Sequence, residues 1–217
     1  MTENKHTSTL SQLKNLYPEL SKVEVDIFGL ALESFQRGVD WVLEKYGLNF
    51  NPEINLGKIV GQEGTTGLIE TDEGQLFINI DPTDIKHLGD IPSIEAVVVQ
   101  SETGDYLWLM SMRQWFEGIG VEETVHFAQH HGAGVASLPS NEQRMKPRSG
   151  ETDSVLYALQ PHEFEAEVLT QMFYEHHYSE SPSKGLLEYL IGEAASRNID
   201  VGQLLNQINL RFKEKKA

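Results

Sequence analysis

Cysteine is absent from all 217 residues of this chain. Its absence excludes thiol nucleophiles, thiolate metal sites and disulfides together. Targeting features are missing as well, because the amino-terminal segment lacks a basic start followed by an apolar stretch. No apolar run approaches the roughly 18 residues that are needed to span a bilayer. These absences predict a soluble, cytoplasmic protein.

Basic residues are scarce. The chain has 17 Lys and Arg against 33 Asp and Glu, a formal net charge of −16. A surface this acidic repels phosphate groups, so we expect no nucleic-acid partner. The lack of an apolar span predicts no membrane partner. The sequence also lacks the G-x-S-x-G motif of serine hydrolases and a lysine-bearing glycine loop for phosphate. A serine hydrolase and a nucleotide-binding enzyme are therefore poor predictions.

The hydrophobic pattern changes twice along the chain. Helical spacing of apolar residues comes first, then short alternating runs between glycine-rich turns, then helical spacing again. The predicted helices cover residues 8–17, 21–46, 121–131, 161–177, 183–197 and 200–213. The predicted strands cover residues 54–60, 66–71, 75–80, 94–100 and 106–112.

This order of elements predicts an α+β fold in one domain, residues 1–217. The domain would have a helical part at 1–50, followed at 51–217 by a small, mainly antiparallel sheet and helices. In this arrangement the helix at 121–131 packs on the carboxyl-terminal helices.

The sequence EETVHFAQ, which begins at Glu122, has the spacing of a metallopeptidase helix. In the pattern H-E-x-x-H, the two histidines share one helix face and bind zinc, and the glutamate acts as base toward the metal-bound water. In this register Glu123 is the base and His126 the second ligand. Glu122 occupies the first ligand position, where the pattern has histidine.

A third ligand is expected from a later helix, and HEFEAE begins at His162. Helical spacing places Glu163 and Glu167 on one face and turns Glu165 away. Ala166 is small enough for another helix to approach closely. A ligating glutamate followed four residues later by an acid that orients a ligand histidine is a common arrangement around a metal.

Together, EETVHFAQ and HEFEAE resemble the glutamate-type zincin metallopeptidases, the gluzincins and minigluzincins. The resemblance covers roughly residues 94–178 and implies a zincin-like fold, a peptide substrate held along a sheet edge near 94–100, and a bound zinc. It assigns Glu123 as general base, His126 and Glu163 as ligands, and Glu167 as the orienting acid. Glu122 departs from the pattern. A Glu-His-Glu set is harder than His-His-Glu and shifts preference toward Mn²⁺ or Fe²⁺.

Other interpretations of these residues remain open. A second metal register uses Glu123, His126, His130 and Glu163 but leaves no obvious base. A di-iron carboxylate site needs a second E-x-x-H, and the only other instance is Glu3 to His6. Further candidate ligands are His131, His162, His176 and His177.

A simpler interpretation needs no metal. Acidic residues in the first turn of a helix favour its dipole, which alone would explain Glu122 and Glu123. The competing function is then a catalytically inactive zincin-like protein that binds or regulates another protein.

Overall fold

The computed structural model of the protein is described in separate segments. The backbone is described at residues 22–49, 53–55, 67–70, 76–79, 97–100, 107–137, 139, 154–179 and 184–212. Side chains are described at residues 29–49, 111, 113–137, 139, 155–179 and 185–212. The predicted helix at 8–17 and the E-x-x-H at Glu3 to His6 lie outside these residues.

Helix α1, Lys22–Tyr46, is an amphipathic helix whose apolar residues recur every three or four positions. Leu32, Phe35, Val39 and Val42 are each at most 1% exposed. The helix ends at Gly47, whose φ of 65° lies in the left-handed region. This turn lets the amide of the next residue donate back to the Leu43 carbonyl at 2.8 Å. The predicted extent of this helix is confirmed.

Helix α2, Met112–His130, begins earlier than the predicted residue 121. Ser111 caps it: the Ser111 Oγ accepts from the Gln114 amide at 3.2 Å, and the Gln114 Oε1 accepts from the Ser111 amide at 2.9 Å. The predicted strand at 106–112 therefore overran into a helix. The capping box is visible in the sequence as Ser111 and Gln114, three residues apart, and could have located this start.

Helices α1 and α2 touch through two glycines. A Cβ on Gly38 would lie 2.3 Å from the Glu117 carbonyl oxygen, and a Cβ on Gly120 would lie 2.3 Å from the Phe35 carbonyl oxygen. Cβ atoms essentially never come within 3.0 Å of another heavy atom. Glycine at both positions is therefore what allows the two backbones to approach so closely.

A buried carboxylate joins α2 to other parts of the structure. Glu117 is fully buried and accepts hydrogen bonds from the Arg37 guanidinium of α1 and from the Tyr178 hydroxyl. Burial raises its pKa, while the bond from Tyr178 and the charge of Arg37 lower it. Because a buried charge is costly without partners, the bond from Arg37 helps to hold α1 against α2, and the bond from Tyr178 joins a later part of the chain to α2.

Four helices follow in the carboxyl-terminal half. They are α3, Ser154–Ala158; α4, Pro161–His177; α5, Lys184–Ser196; and α6, Gly202–Phe212. Pro161 stands at the start of α4, where a missing amide proton costs nothing. The prediction for 161–177 is confirmed, and those for 183–197 and 200–213 are correct to within two residues at each end. Phe164, Leu169 and Phe173 of α4 lie in a core shared with α1, α2, α5 and α6.

The described strands are short. They are β1, Glu53–Asn55; β2, Gly67–Glu70; β3, Leu76–Asn79; β4, Val97–Gln100; and β5, Leu107–Met110. Strand β3 pairs with β2 in antiparallel and with β1 in parallel orientation, and β4 pairs antiparallel with β5.

The predicted α+β fold class is wrong. Among the residues with described side chains, 79% are helical and none lies in a strand, so this part of the protein is all-α. Its core is formed by helix packing on helix. The error arose because alternating apolar residues indicate locally extended chain but do not show that a sheet forms a layer of the core. No helix in the described segments is both long and apolar enough to cross a membrane.

Candidate metal centre

Helices α2 and α4 bring the candidate ligands together. Glu122 and His126 are four residues apart on α2, so they project from the same face. Glu163 lies in the first turn of α4, shortly after Pro161. Close contact between the two helices places His126 opposite Glu163, as the sequence predicted.

The distances suit a shared cation. The His126 Nε2 lies 3.2 Å from the Glu163 Oε2. One ligand atom each from Glu122, His126 and Glu163 can be chosen so that all three lie within 4.8 Å of one another. Zinc bonds to nitrogen and oxygen are about 2.1 Å long, so tetrahedral ligand atoms lie about 3.4 Å apart. The histidine and Glu163 already have this spacing, and Glu122 needs only a modest approach.

The three side chains differ in their access to solvent. Glu163 is 9% exposed and His126 is 16% exposed, whereas Glu122 is exposed. Solvent thus reaches the group from the side of Glu122. Nearby protein atoms still raise the pKa of Glu122 by desolvation, and the charge of Glu163 raises it further, while His126 opposes both effects.

Glu163 is held as a carboxylate. Its Oε1 lies 3.2 Å from the His162 Nε2, and Tyr157 also hydrogen-bonds to the side chain. Burial acts to raise the pKa of Glu163, but its close contacts with His126 and His162 outweigh this effect and hold the pKa well below its usual range. A carboxylate that stays ionised is ready to bind a cation without first losing a proton.

The pKa of His126 is shifted upward, opposite to the shift of Glu163. Burial acts to lower its pKa, but the hydrogen bond and charge of Glu163, with the charges of Glu122 and Glu123, raise the pKa to about 9. A metal ion that binds the His126 Nε2 must therefore displace a proton at neutral pH.

The second nitrogen of His126 is also engaged. Its Nδ1 lies 3.0 Å from the Gln129 Oε1. The sequence motif predicted that the Glu167 carboxylate would orient a ligand histidine, but it is Gln129 that contacts His126. The Glu167 Oε1 is buried and has no hydrogen-bond partner among the described residues. Burial, followed by the charge of Glu122, raises the pKa of Glu167 to about 8.

Glu165 was predicted to turn away from the face of Glu163 and Glu167, and it does lie on a different face of α4, which is also buried. It is fully buried and accepts four hydrogen bonds. The donors are the Tyr46 hydroxyl, the Gln129 amide group and the backbone amides of Val135 and Ala136. Residue spacing could have predicted that Gln129 and Glu165 lie near the candidate ligands. Gln129 follows His126 by three residues, and Glu165 follows His162 by three, so each pair shares a helix face.

The remaining predicted residues lie nearby. Glu123 is partly buried and close enough to His126 for its charge to raise the pKa of the histidine. His130 is exposed, one turn further along α2. Within the described residues, the one group of three or more acidic or histidine side chains that could hold a metal is Glu122, His126 and Glu163. The geometry therefore favours the register that uses Glu122 over the one that uses His130.

Comparison with known proteins adds no identification. The chain matches no protein-family model, no curated protein and no solved structure. The zincin resemblance thus depends on the two short motifs alone and stays a prediction. What the structure contributes is the meeting of those motifs at one place.

Proposed function

We propose that this protein is a metal-dependent hydrolase whose divalent ion is bound by Glu122, His126 and Glu163. The observation that carries the proposal is the grouping of the three ligand atoms within 4.8 Å, on two packed helices and open to solvent on one side. Three protein ligands with an open side are typical of catalytic metal sites, because water or substrate takes the remaining position.

The chemistry of the ligand set indicates the kind of ion. A bound divalent metal would supply Lewis acidity and an acidified water. Two carboxylates and one histidine neutralise more of the charge than two histidines and one carboxylate, so the bound water would be less acidic than in a His-His-Glu site. We therefore propose zinc or Mn²⁺, with Fe²⁺ as a third ion that the same ligand class accepts.

Glu123 is the proposed general base. It precedes His126 by three residues on α2, and its charge is close enough to raise the pKa of His126, but it is not one of the three candidate ligands. A base at this place accepts a proton from water and passes it to a leaving group. A peptide substrate and a cytoplasmic location, both drawn from the sequence, belong to this proposal.

The first experiment measures metal binding. Protein without a histidine tag is stripped with chelator and titrated with zinc and with Mn²⁺ by calorimetry. We expect one ion per chain in the wild type and at least a hundredfold weaker binding in Glu163→Gln. Glu188→Gln removes an exposed carboxylate on α5 and serves as the matched control. A folded wild-type protein that binds neither ion contradicts the proposal.

The second experiment separates binding from catalysis. Glu123→Gln is expected to keep the metal affinity of the wild type and to lose hydrolysis of a peptide library in the presence of the bound ion. Stoichiometric metal with no hydrolysis by the wild-type protein would favour the inactive, protein-binding alternative. Equal hydrolysis by wild type and Glu123→Gln would show that another residue is the base.

A further inference from the structure

Gln129 lies next to the candidate metal centre and connects α2 to α4 through hydrogen bonds. It is 3% exposed and lies on α2, three residues after His126. Its amide nitrogen donates to the His162 carbonyl oxygen at 2.9 Å and to the Glu165 Oε2 at 3.0 Å. Its Oε1 faces the His126 Nδ1 at 3.0 Å. All polar atoms of this one side chain are thus engaged, and they connect the two helices.

The orientation of the Gln129 amide follows from its neighbours. A backbone carbonyl can only accept a hydrogen bond, so the Gln129 group facing the His162 carbonyl must be the NH₂. The oxygen is then the atom that faces His126, and an amide oxygen can only accept. The His126 Nδ1 must therefore carry a proton to make this hydrogen bond, and in a neutral ring the Nε2 then has the free electron pair. Without a cation, that electron pair would face the ionised Glu163 Oε2 at 3.2 Å, so Glu163 favours a proton on Nε2 instead.

We propose that Gln129 is a positioning residue that holds neutral His126 in its Nδ1–H form and directs the Nε2 electron pair toward a divalent metal beside Glu163. The metal part rests on the proposed function above, whereas the tautomer does not. Gln129 acts through His126 and does not touch the ion. It takes the place that the sequence motif assigned to Glu167.

Glu165 keeps this amide from turning over. Its Oε1 accepts from the Tyr46 hydroxyl at 2.8 Å and from the Val135 amide at 2.7 Å. Its Oε2 accepts from the Ala136 amide at 2.8 Å as well as from Gln129. Backbone amides can only donate, so both carboxylate oxygens are acceptors. A reversed Gln129 would place its own oxygen against two acceptors, which is strongly unfavourable in a buried site.

The turn after α2 closes over Gln129. Gly132, with a φ of 69°, ends the helix, and Gly134 then passes close to the glutamine. A Cβ on Gly134 would lie 2.5 Å from the Gln129 Cγ and 2.7 Å from the Ala136 carbonyl oxygen. The absence of a side chain at Gly134 is what allows this turn to deliver two amides to Glu165 while it confines Gln129.

The tautomer is tested without any metal in Glu163→Ala, which removes the carboxylate that competes for a proton on Nε2. Long-range ¹H–¹⁵N NMR of this stripped protein at about pH 10, above the pKa of about 9 that His126 has with Glu163 present, reports which ring nitrogen carries the proton. We expect Nδ1 to be protonated. A spectrum dominated by the Nε2–H form overturns the proposal. This readout decides the proposal even if the protein binds no metal, so it fails separately from the proposed function.

The consequence for binding is tested with Gln129→Met, which keeps the length of the side chain and removes the acceptor. We expect zinc affinity, measured by competition with a chelator, to fall about 10- to 100-fold, the range for residues that orient metal ligands. Gln171→Met is the control, because Gln171 is also buried, at 4% exposure, on the facing helix. Unchanged affinity in Gln129→Met, or an equal loss in both variants, overturns the positioning role.

The same variant is also examined by NMR. In the Glu163→Ala background, metal-free Gln129→Met at about pH 10 should show a mixture of the two His126 tautomers, whereas Gln171→Met should keep the Nδ1–H form. A purely structural Gln129 would lower stability and leave the tautomer unchanged, and that result overturns the proposal. Should Gln129→Met fail to fold, the Glu163→Ala spectrum still provides the decision.

Discussion

Gly120 offers a sharp test of the helix packing that positions the candidate metal centre. In Gly120→Ala, the new Cβ would lie 2.3 Å from the Phe35 carbonyl oxygen and 3.1 Å from the carbonyl carbon. The closest approach that Cβ atoms make is about 3.0 Å, so α1 and α2 must separate by at least 0.7 Å (3.0 − 2.3). Neither partner can yield by changing a rotamer, because both contacting atoms belong to the backbone of Phe35.

The expected cost follows from two opposing effects. Overpacking of a buried contact costs about 1–3 kcal/mol, and a backbone clash belongs at the upper end. Alanine is better than glycine in a helix by about 1 kcal/mol, which offsets part of that cost. We therefore expect Gly120→Ala to lower the free energy of unfolding by about 2 kcal/mol.

Urea denaturation followed by circular dichroism measures the effect. Gly192→Ala is the matched control, since Gly192 also lies within a helix and is exposed, and a Cβ added there would meet no heavy atom of the described residues within 4 Å. The control should be more stable than wild type by about 0.5–1 kcal/mol. A Gly120→Ala protein that is as stable as wild type would refute the close approach of α1 and α2.

Two further predictions concern the ligand group itself. Glu122→His should restore a His-His-Glu set and raise the affinity for zinc relative to Mn²⁺, as measured by competitive titration; an unchanged ratio would mean that residue 122 does not bind the ion. The second prediction concerns the dependence of stability on pH. The pKa of His126 in the folded protein is raised from 6.5 to about 9. Its proton therefore stabilises the metal-free fold fully below pH 6.5, and this stabilisation is lost as pH rises through 9. The shift corresponds to at most about 3 kcal/mol. Urea unfolding at about pH 6 and about pH 10 should show this loss in wild type but not in His126→Gln, and parallel losses in both proteins would contradict it.

Local patterns in the sequence determined much of the helical structure. Helix α1 ends where Gly47 provides a left-handed residue, and α4 begins where Pro161 fits the first turn. Helical spacing also determined that Glu122 and His126 share a face. These features depend on backbone geometry within a few residues, so no knowledge of distant contacts was needed to predict them.

Only the tertiary structure decided the fold class and the surroundings of the ligands. The spacing of HEFEAE shows which of its residues share a face, but not which faces of α4 are buried. In the structure, two faces of α4 are buried. Glu163 faces His126, while Glu165 lies buried against Tyr46 and the turn after α2. The role of Gln129 likewise depends on a carbonyl and a carboxylate more than 30 residues away. Such partners are set by the packing of whole helices, and the spacing of residues within one helix carries no record of them.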